Sequence, residues 1–445
     1  MKVIFPCSYY LPETAASLYI TDNVVHRCAE SGMEVWLYTP TPTRNVVADA
    51  VWHRKEDLCN NKLHIRRFHL YGEGKNPVLR ALRYLFGELI QLHYCLWKDY
   101  DVAFIDSTPP IQGLKLPIVR MFRKKPAVYN AQDIFPDSMV GTGLTREGSL
   151  IWKIGRIVEK ITYRNADKII VISEDFKRNI MAKGVPEEKI EVIYNWVDEN
   201  AVVDIPREEN KLFDKYGIDR SKFYIEYSGN IGLTQNMDML LEVMKELKVS
   251  HPDIGLVLVG EGAYKKQVEE IVARDGLTNV TMLPFQPYED ISHVFSLGNV
   301  GLVISKPGVG ANSVPSKTWS IMSALRPVLA NFDPNELQGI MEGSHPFSEE
   351  GKPCGIFTKA GDKEAFKAAI LRLYENRALC LEYGRNGREF ILRNLTKEVG
   401  TRKYVEVIRG FAHDNDNDTL RYDDDNDDDN DDDDDNDDDD EVKNC

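Results

Sequence analysis

Nowhere does the chain carry the roughly 18 uncharged apolar residues that a membrane-crossing helix needs, so no helical span is expected. Paired cysteine spacing is also missing. The seven cysteines, Cys7, Cys28, Cys59, Cys95, Cys354, Cys380 and Cys445, stand far apart without a CxxC or a metal-type cluster, and their number is odd. Free thiols in a reducing, cytoplasmic compartment, no disulfides and no bound metal are the expectations. A secretory leader is not expected, because Pro6, Pro12 and Glu13 interrupt the apolar run that follows Lys2. Nor do basic and aromatic residues interleave as in nucleic-acid binders, so no nucleic-acid partner is expected. A basic excess is absent too, with 55 Lys and Arg against 71 Asp and Glu, a formal charge of −16. That figure describes the tail. Residues 414–445 hold 19 acidic and 2 basic side chains, which leaves 52 acidic and 53 basic on residues 1–413.

A chain of 445 residues is too long for one core, since single cores stop growing near roughly 250 to 300 residues. The first part alternates short, β-branched apolar runs (3–6, 34–38, 63–70, 101–106, 127–131, 168–172, 190–194) with amphipathic segments (about 15–31, 78–97, 111–122, 150–164). Runs that are apolar throughout, joined by helices, predict parallel sheets covered on both faces, an α/β fold. Charge and Pro206 break the pattern over 197–222, and it restarts at 224–228, 256–260, 280–284, 300–305, 328–330 and 355–357. This predicts two doubly wound, Rossmann-like domains, residues 1–200 and 201–387, facing each other across a ligand-binding cleft. A helix over about 388–412 packs back onto the first. The Asp/Asn tail, 413–445, cannot bury enough surface to fold and is expected to be disordered.

The most informative stretch is 300–331, VGLVISKPGVGANSVPSKTWSIMSALRPVLAN. Val300 to Ser305 reads as a buried strand, and Lys306-Pro307-Gly308 starts a loop. Ser313 is the expected N-cap of a helix whose first turn holds Pro315, Ser316 and Lys317. Free N–H groups, the helix dipole and an ammonium on the first turn make an anion site, and Lys306 lies in the preceding loop. Ser228-Gly229-Asn230-Ile231-Gly232 follows the first strand of the second domain and precedes a helix. There Gly229 and Gly232 would let backbone N–H groups approach a diphosphate. Gly260-Glu261-Gly262 and Phe285-Gln286-Pro287 end the next two strands and would border the same cleft, holding a base or ribose or simply making turns.

Several short segments stand in order along the chain: YNAQDIFPDS (129–138), VISE (171–174), NWVD (195–198), SGNIG (228–232), LVGEG (258–262), and VPSK (314–317) with RPV (326–328). Together they resemble the glycosyltransferase family 4 enzymes of the GT-B fold, most closely the branch similar to the fucosamine transferase of O-antigen, colanic acid and capsular polysaccharide synthesis. The resemblance covers residues 1 to about 412. It implies a retaining transferase that moves a sugar from a nucleotide diphosphate without a metal or other cofactor, with the donor on the second domain. Some family features are altered. The arginine and lysine expected after the glycine loop correspond to Asn230 and Gln235, two glutamates eight positions apart to Asn312 and Ser320, and a first-domain histidine to Gln132-Asp133.

A leaving nucleotide diphosphate gains negative charge, and preorganised cations aimed at it are usually the largest catalytic contribution. Lys317 and Lys306 are the candidates, with Ser316 beside them. Asp133 is placed to orient the acceptor hydroxyl or act as base, or else to cap the next turn, with Gln132 next to it. Glu13 and Ser107 lie in first-domain loops expected to face the acceptor, and Glu336 is a candidate for the ribose hydroxyls. Residues 75–168 hold 15 basic and 9 acidic side chains. The basic amphipathic segment there suits either an anionic membrane surface bearing a lipid-linked acceptor or an ordinary half-buried helix. The expected activity is transfer from a UDP-sugar, an N-acetylated or deoxy amino sugar among the candidates, to a lipid-linked or growing polysaccharide acceptor. A non-catalytic nucleotide-sugar-binding partner and a sugar-nucleotide epimerase are the alternatives.

Overall fold

The computed structural model describes residues 1–13, 18–43, 46, 50–72, 77–141, 143–310 and 314–421. Asn312, Ser313 and the tail from residue 422 lie outside the described residues. The first sheet has eight strands: β1 (Lys2–Pro6), β2 (Glu34–Pro40), β3 (Lys55–Leu58), β4 (Leu63–Phe68), β5 (Val102–Asp106), β6 (Ala127–Ala131), β7 (Lys168–Val171) and β8 (Ile190–Val192). Their order is β3-β4-β2-β1-β5-β6-β7-β8, parallel except for β3 against β4. The second has six: β9 (Phe223–Ser228), β10 (Ile254–Val259), β11 (Val280–Leu283), β12 (Val300–Ile304), β13 (Val328–Phe332) and β14 (Gly355–Lys359). All its pairings are parallel, in the order β11-β10-β9-β12-β13-β14.

Strands that read as apolar throughout are so because helices cover both faces. Along β1, Val3 and Phe5 enter one core and Ile4 the other, and along β9, Ile225 and Tyr227 face away from Tyr224 in the same manner. Outermost β3, KEDL, has no such pattern, being polar and mostly exposed, so its sequence reads as irregular. The segment expected as one helix over 111–122 is a 3-10 turn, Pro110–Leu114, followed by a helix at Lys115–Arg123.

The helix expected over 388–412 is two helices. Arg377–Asn394 packs on the second domain, against the helix Lys317–Ser323, and Lys397–Arg421 packs on Leu18–Glu30 of the first. The crossing falls at Thr396, whose hydroxyl accepts from the Val399 N–H and whose backbone bridges Val197. Gly400 then lets the final helix approach Trp196, since a Cβ there would lie 2.1 Å from the indole ring. Tyr404 meets the same indole edge-on at 5.8 Å. The final helix runs past residue 413 to Arg421, because each added residue gains a bond once the docked part has nucleated it.

Candidate active site in the cleft between the sheets

The carboxyl ends of both sheets open onto one cavity of about 660 Å3. One wall comes from the first domain, with Asp133, Asp137, Ser138, Glu147 and Trp152. The other comes from the second, with Thr234, Gln235, Ser305, the loop Gly308–Gly310, Pro315 and Lys317. The walls differ in the charged side chains they carry, although Asp137 is itself paired with Lys183 at 2.7 Å. Every carboxylate lining the cavity belongs to the first domain, whereas Lys317 is the cation on the second.

Lys317 is the first residue of its helix and half-buried. Its ammonium sits 3.7 Å from the centre of the Tyr227 ring, and a Cβ on Gly229 would come within 3.0 Å of it. Tyr227 is itself fixed by its hydroxyl, which donates to the Asn230 carbonyl at 2.7 Å. No carboxylate lies within ion-pair distance of Lys317 among the described residues. Burial holds its pKa down to about 8, and the charge of Glu226 pulls the other way. Ser305, at the end of β12, is 4% exposed and its hydroxyl has no partner among the described residues, although it lines the cavity. A buried hydroxyl left open in this way is fitted to accept or donate to a bound group.

Two backbone N–H groups of the loop before the helix are not free to meet an anion. The N–H groups of Gly308 and Gly310 are taken by the Asp333 carboxylate, at 3.0 and 2.7 Å. Pro315 and Ser316 precede the helix instead of forming its first turn. Their carbonyls accept from Thr318 and Trp319, and Ser316 is exposed with no capping bond. Lys306 does not line the cavity, its ammonium lying 5.7 Å from the Tyr264 ring and its N–H on the Thr234 carbonyl.

The glycine loop adjoins Lys317 through Gly229, and Gly232 donates to the Gln235 side chain at 3.0 Å. Gly260 and Gly262 meet a close-approach requirement. A Cβ on Gly260 would lie 2.0 Å from the Gly229 carbonyl oxygen, and one on Gly262 would lie 2.2 Å from that of Ile231. They lock the two loops together and do not line the cavity. Phe285 is 74% exposed at the end of β11, also off the cavity.

On the first domain, Asp133 is exposed to the cavity and accepts from the Ser138 hydroxyl at 2.8 Å. Gln132 is held elsewhere. Its amide donates to Asn130 and Tyr404 and accepts from Asn195, in a network that reaches Asp106 and ties the final helix down. Ser107 belongs to the same network and accepts from the Gln132 N–H. Glu13 is 4% exposed and accepts from the Thr43 N–H at 2.8 Å, so it holds its own loop.

Glu336 lies off the cavity, at the junction of the domains. It accepts from the Glu174 N–H at 2.9 Å and the Tyr194 hydroxyl at 2.8 Å, while Asp175 accepts from the Glu336 N–H at 2.8 Å. Two helix N-termini, one from each domain, are thus capped reciprocally. Burial raises the Glu336 carboxyl to about 7. Because the folded value exceeds the unfolded one, folding takes up a proton between them. Stability is therefore expected to fall as pH rises toward 7, by on the order of 3 kcal/mol. Glu336→Gln is expected to flatten that slope, which melting temperatures across pH 5 to 8 would check.

Sequence reasoning missed Ser305, Glu147 and Trp152, which carry no motif. Glu226 does leave a signal, a single carboxylate inside the buried strand FYIEYS.

Comparison with known proteins agrees with this architecture. Residues 20–201 match the Glycosyltransferase Family 4 model and residues 208–390 the Glycosyl transferases group 1 model. WcaI of Escherichia coli K12, whose name assigns it to colanic acid biosynthesis as a glycosyl transferase, is 24% identical over 433 residues, 92% of this chain and 100% of WcaI. The structure of Anabaena HepE bound to UDP-glucose superposes with a TM-score of 0.65 at 16% identity, covering 92% of this chain and 100% of HepE. Sucrose-phosphate synthase from Thermosynechococcus elongatus gives 0.67 at 16% identity over 93% and 98%. With both domain types present in the family's order on two facing parallel sheets, the chain belongs to the family 4 glycosyltransferases of the GT-B fold.

Proposed function

We propose that the chain transfers a sugar, with retention and without a metal, from a UDP-sugar to a lipid-linked or growing polysaccharide acceptor. The observation that carries this reading is the opposed character of the cleft walls: a desolvated cation at the mouth of the second sheet, carboxylates across from it. A departing diphosphate gains charge against Lys317, where low dielectric strengthens the attraction. Asp133 then orients the acceptor hydroxyl, whose proton passes to a donor phosphate oxygen on the same face. Ser305 completes the donor side. Support for UDP comes from HepE, solved with UDP and UDP-glucose, and support for a polysaccharide acceptor from the likeness to WcaI, whose name places it in colanic acid biosynthesis.

The first domain also carries a surface suited to anionic lipid. The helices Pro77–Trp97, Lys115–Arg123 and Leu150–Asn165 lie side by side. They expose Phe86, Leu89, Trp97, Met121, Phe122, Ile154 and Ile157, beside exposed Arg120, Lys124, Lys153 and Lys160. Apolar side chains with cations around them are what an acidic bilayer interface binds, and an acceptor anchored there would be delivered to the acceptor-side wall.

The test is release of free UDP from a panel of UDP-sugars, with a polyprenyl-linked acceptor presented in anionic vesicles. One donor is expected to turn over, undiminished by EDTA. Folded protein that releases UDP from no member of the panel would count against the proposal.

A further inference from the structure

Glu226 is 1% exposed in the middle of β9, and neither of its carboxylate oxygens has a hydrogen-bond partner among the described residues. An isolated ionised carboxylate is strongly disfavoured in such a place, so the group tends to neutralise instead. Its register partner on β12 is Gly301, over which Ile321 of the helix Lys317–Ser323 packs. The turn at Gly298 closes the other side, where a Cβ would come within 2.6 Å of the Glu226 Cβ. The charges of two cations, Lys317 on the helix and Arg326 ahead of β13, favour its ionised form through space. Arg326 is already matched: it pairs with Asp204 at 2.7 Å and donates to the Gly298 carbonyl at 2.8 Å. Among the described residues Lys317 has no such partner, only the ring of Tyr227, the titratable neighbour on the strand itself. A buried carboxyl without a hydrogen-bond partner thus stands next in the strand to the tyrosine whose ring carries the half-buried Lys317 ammonium.

We propose that Glu226 is a positioning residue, a buried carboxylic acid that stands neutral while Lys317 grips a diphosphate, so that in alkaline solution donor capture is coupled to proton uptake. This rests on the reading of the cleft as a UDP-sugar site. In the free protein burial pushes Glu226 up to about 8 and Lys317 down to about 8, and each group's charge favours the charged form of the other. The pair therefore sheds protons through the alkaline range, in two overlapping steps that belong to both groups. A diphosphate against the ammonium changes the balance. It favours Lys317 as the cation and disfavours a carboxylate beneath it, which drives the pair to ammonium and neutral acid. The protons come from the buffer, and no covalent bond is made or broken.

The experiment is calorimetric titration of UDP into the full chain at about pH 9.5, in two buffers of different ionisation enthalpy, which reads the protons taken up per UDP bound. Wild type is expected to take up more protons per UDP than Glu226→Gln, in which Lys317 and the uracil N3–H still titrate near this pH but the buried acid is gone. Infrared difference spectra of the wild type at the same pH are expected to show a protonated-carboxyl band gained on UDP binding. Equal uptake by the two proteins, or no such band, would overturn the proposal while leaving the cleft reading in place. Failure of wild type to bind UDP at any pH would overturn both.

Discussion

Lys317→Met is expected to lower kcat/KM for the donor by about 10²- to 10³-fold, the size seen when one preorganised charge-stabilising group is removed from a transition state. Placement is what gives this charge its effect. The ammonium is half-buried over Tyr227 and beside Gly229 at the end of the first strand of the donor sheet, with no carboxylate within ion-pair distance among the described residues. A solvated lysine would contribute little, whereas this one meets a developing charge where water screens poorly. Methionine keeps most of the stem volume, so the loss reports the charge. Thermal unfolding should be little changed, since no ion pair is broken. Steady-state kinetics with the donor that turns over, alongside a melting curve, checks both statements.

Gly260→Ala is expected to damage the fold as well as the site. Gly260 has φ +144, and an added methyl would sit 2.0 Å from the Gly229 carbonyl oxygen, a backbone atom that cannot rotate aside. The strain and the separation of the two loops should cost about 3 kcal/mol or more. Because Gly229 adjoins the Lys317 ammonium, the displaced loop should also weaken UDP binding. Melting temperature and UDP titration together test this, and an unchanged melting temperature would contradict the packing argument. Gly262→Ala offers a second case of the same kind, with 2.2 Å to the Ile231 carbonyl.

The two-sheet architecture is legible in the sequence because runs such as VGLVI and IGLVLV are apolar at every position, which only a strand covered on both faces requires. Strand β3 is not legible, because KEDL pairs on one side only and gains nothing from being apolar. The break at Thr396 is hidden for a related reason: the segments on either side of it are both amphipathic helix, and the local cap does not reveal which domain each will meet. Lys317 and Asp133 are recognisable from their motifs, and the fold brings both to one cleft. Glu336 is misleading, because its role depends on Glu174 and Tyr194 from the other domain, far away in sequence. Gly260 and Gly262 suggest a ligand-facing loop, yet glycine meets close backbone packing and close ligand approach with the same residue, and sequence does not separate the two. The loop after β12 gives a comparable lesson. Its N–H groups look available, and Asp333, a position no loop motif includes, already accepts from two of them.

In the proposed mechanism the Lys317 ammonium holds the diphosphate of the donor. The most direct test of this compares the affinities of UDP and of uridine for wild type and Lys317→Met. UDP binding is expected to weaken severalfold or more in the variant while uridine binding is unchanged, so that the variant no longer gains from the phosphates. Undiminished UDP affinity, or equal losses for both ligands, would contradict it.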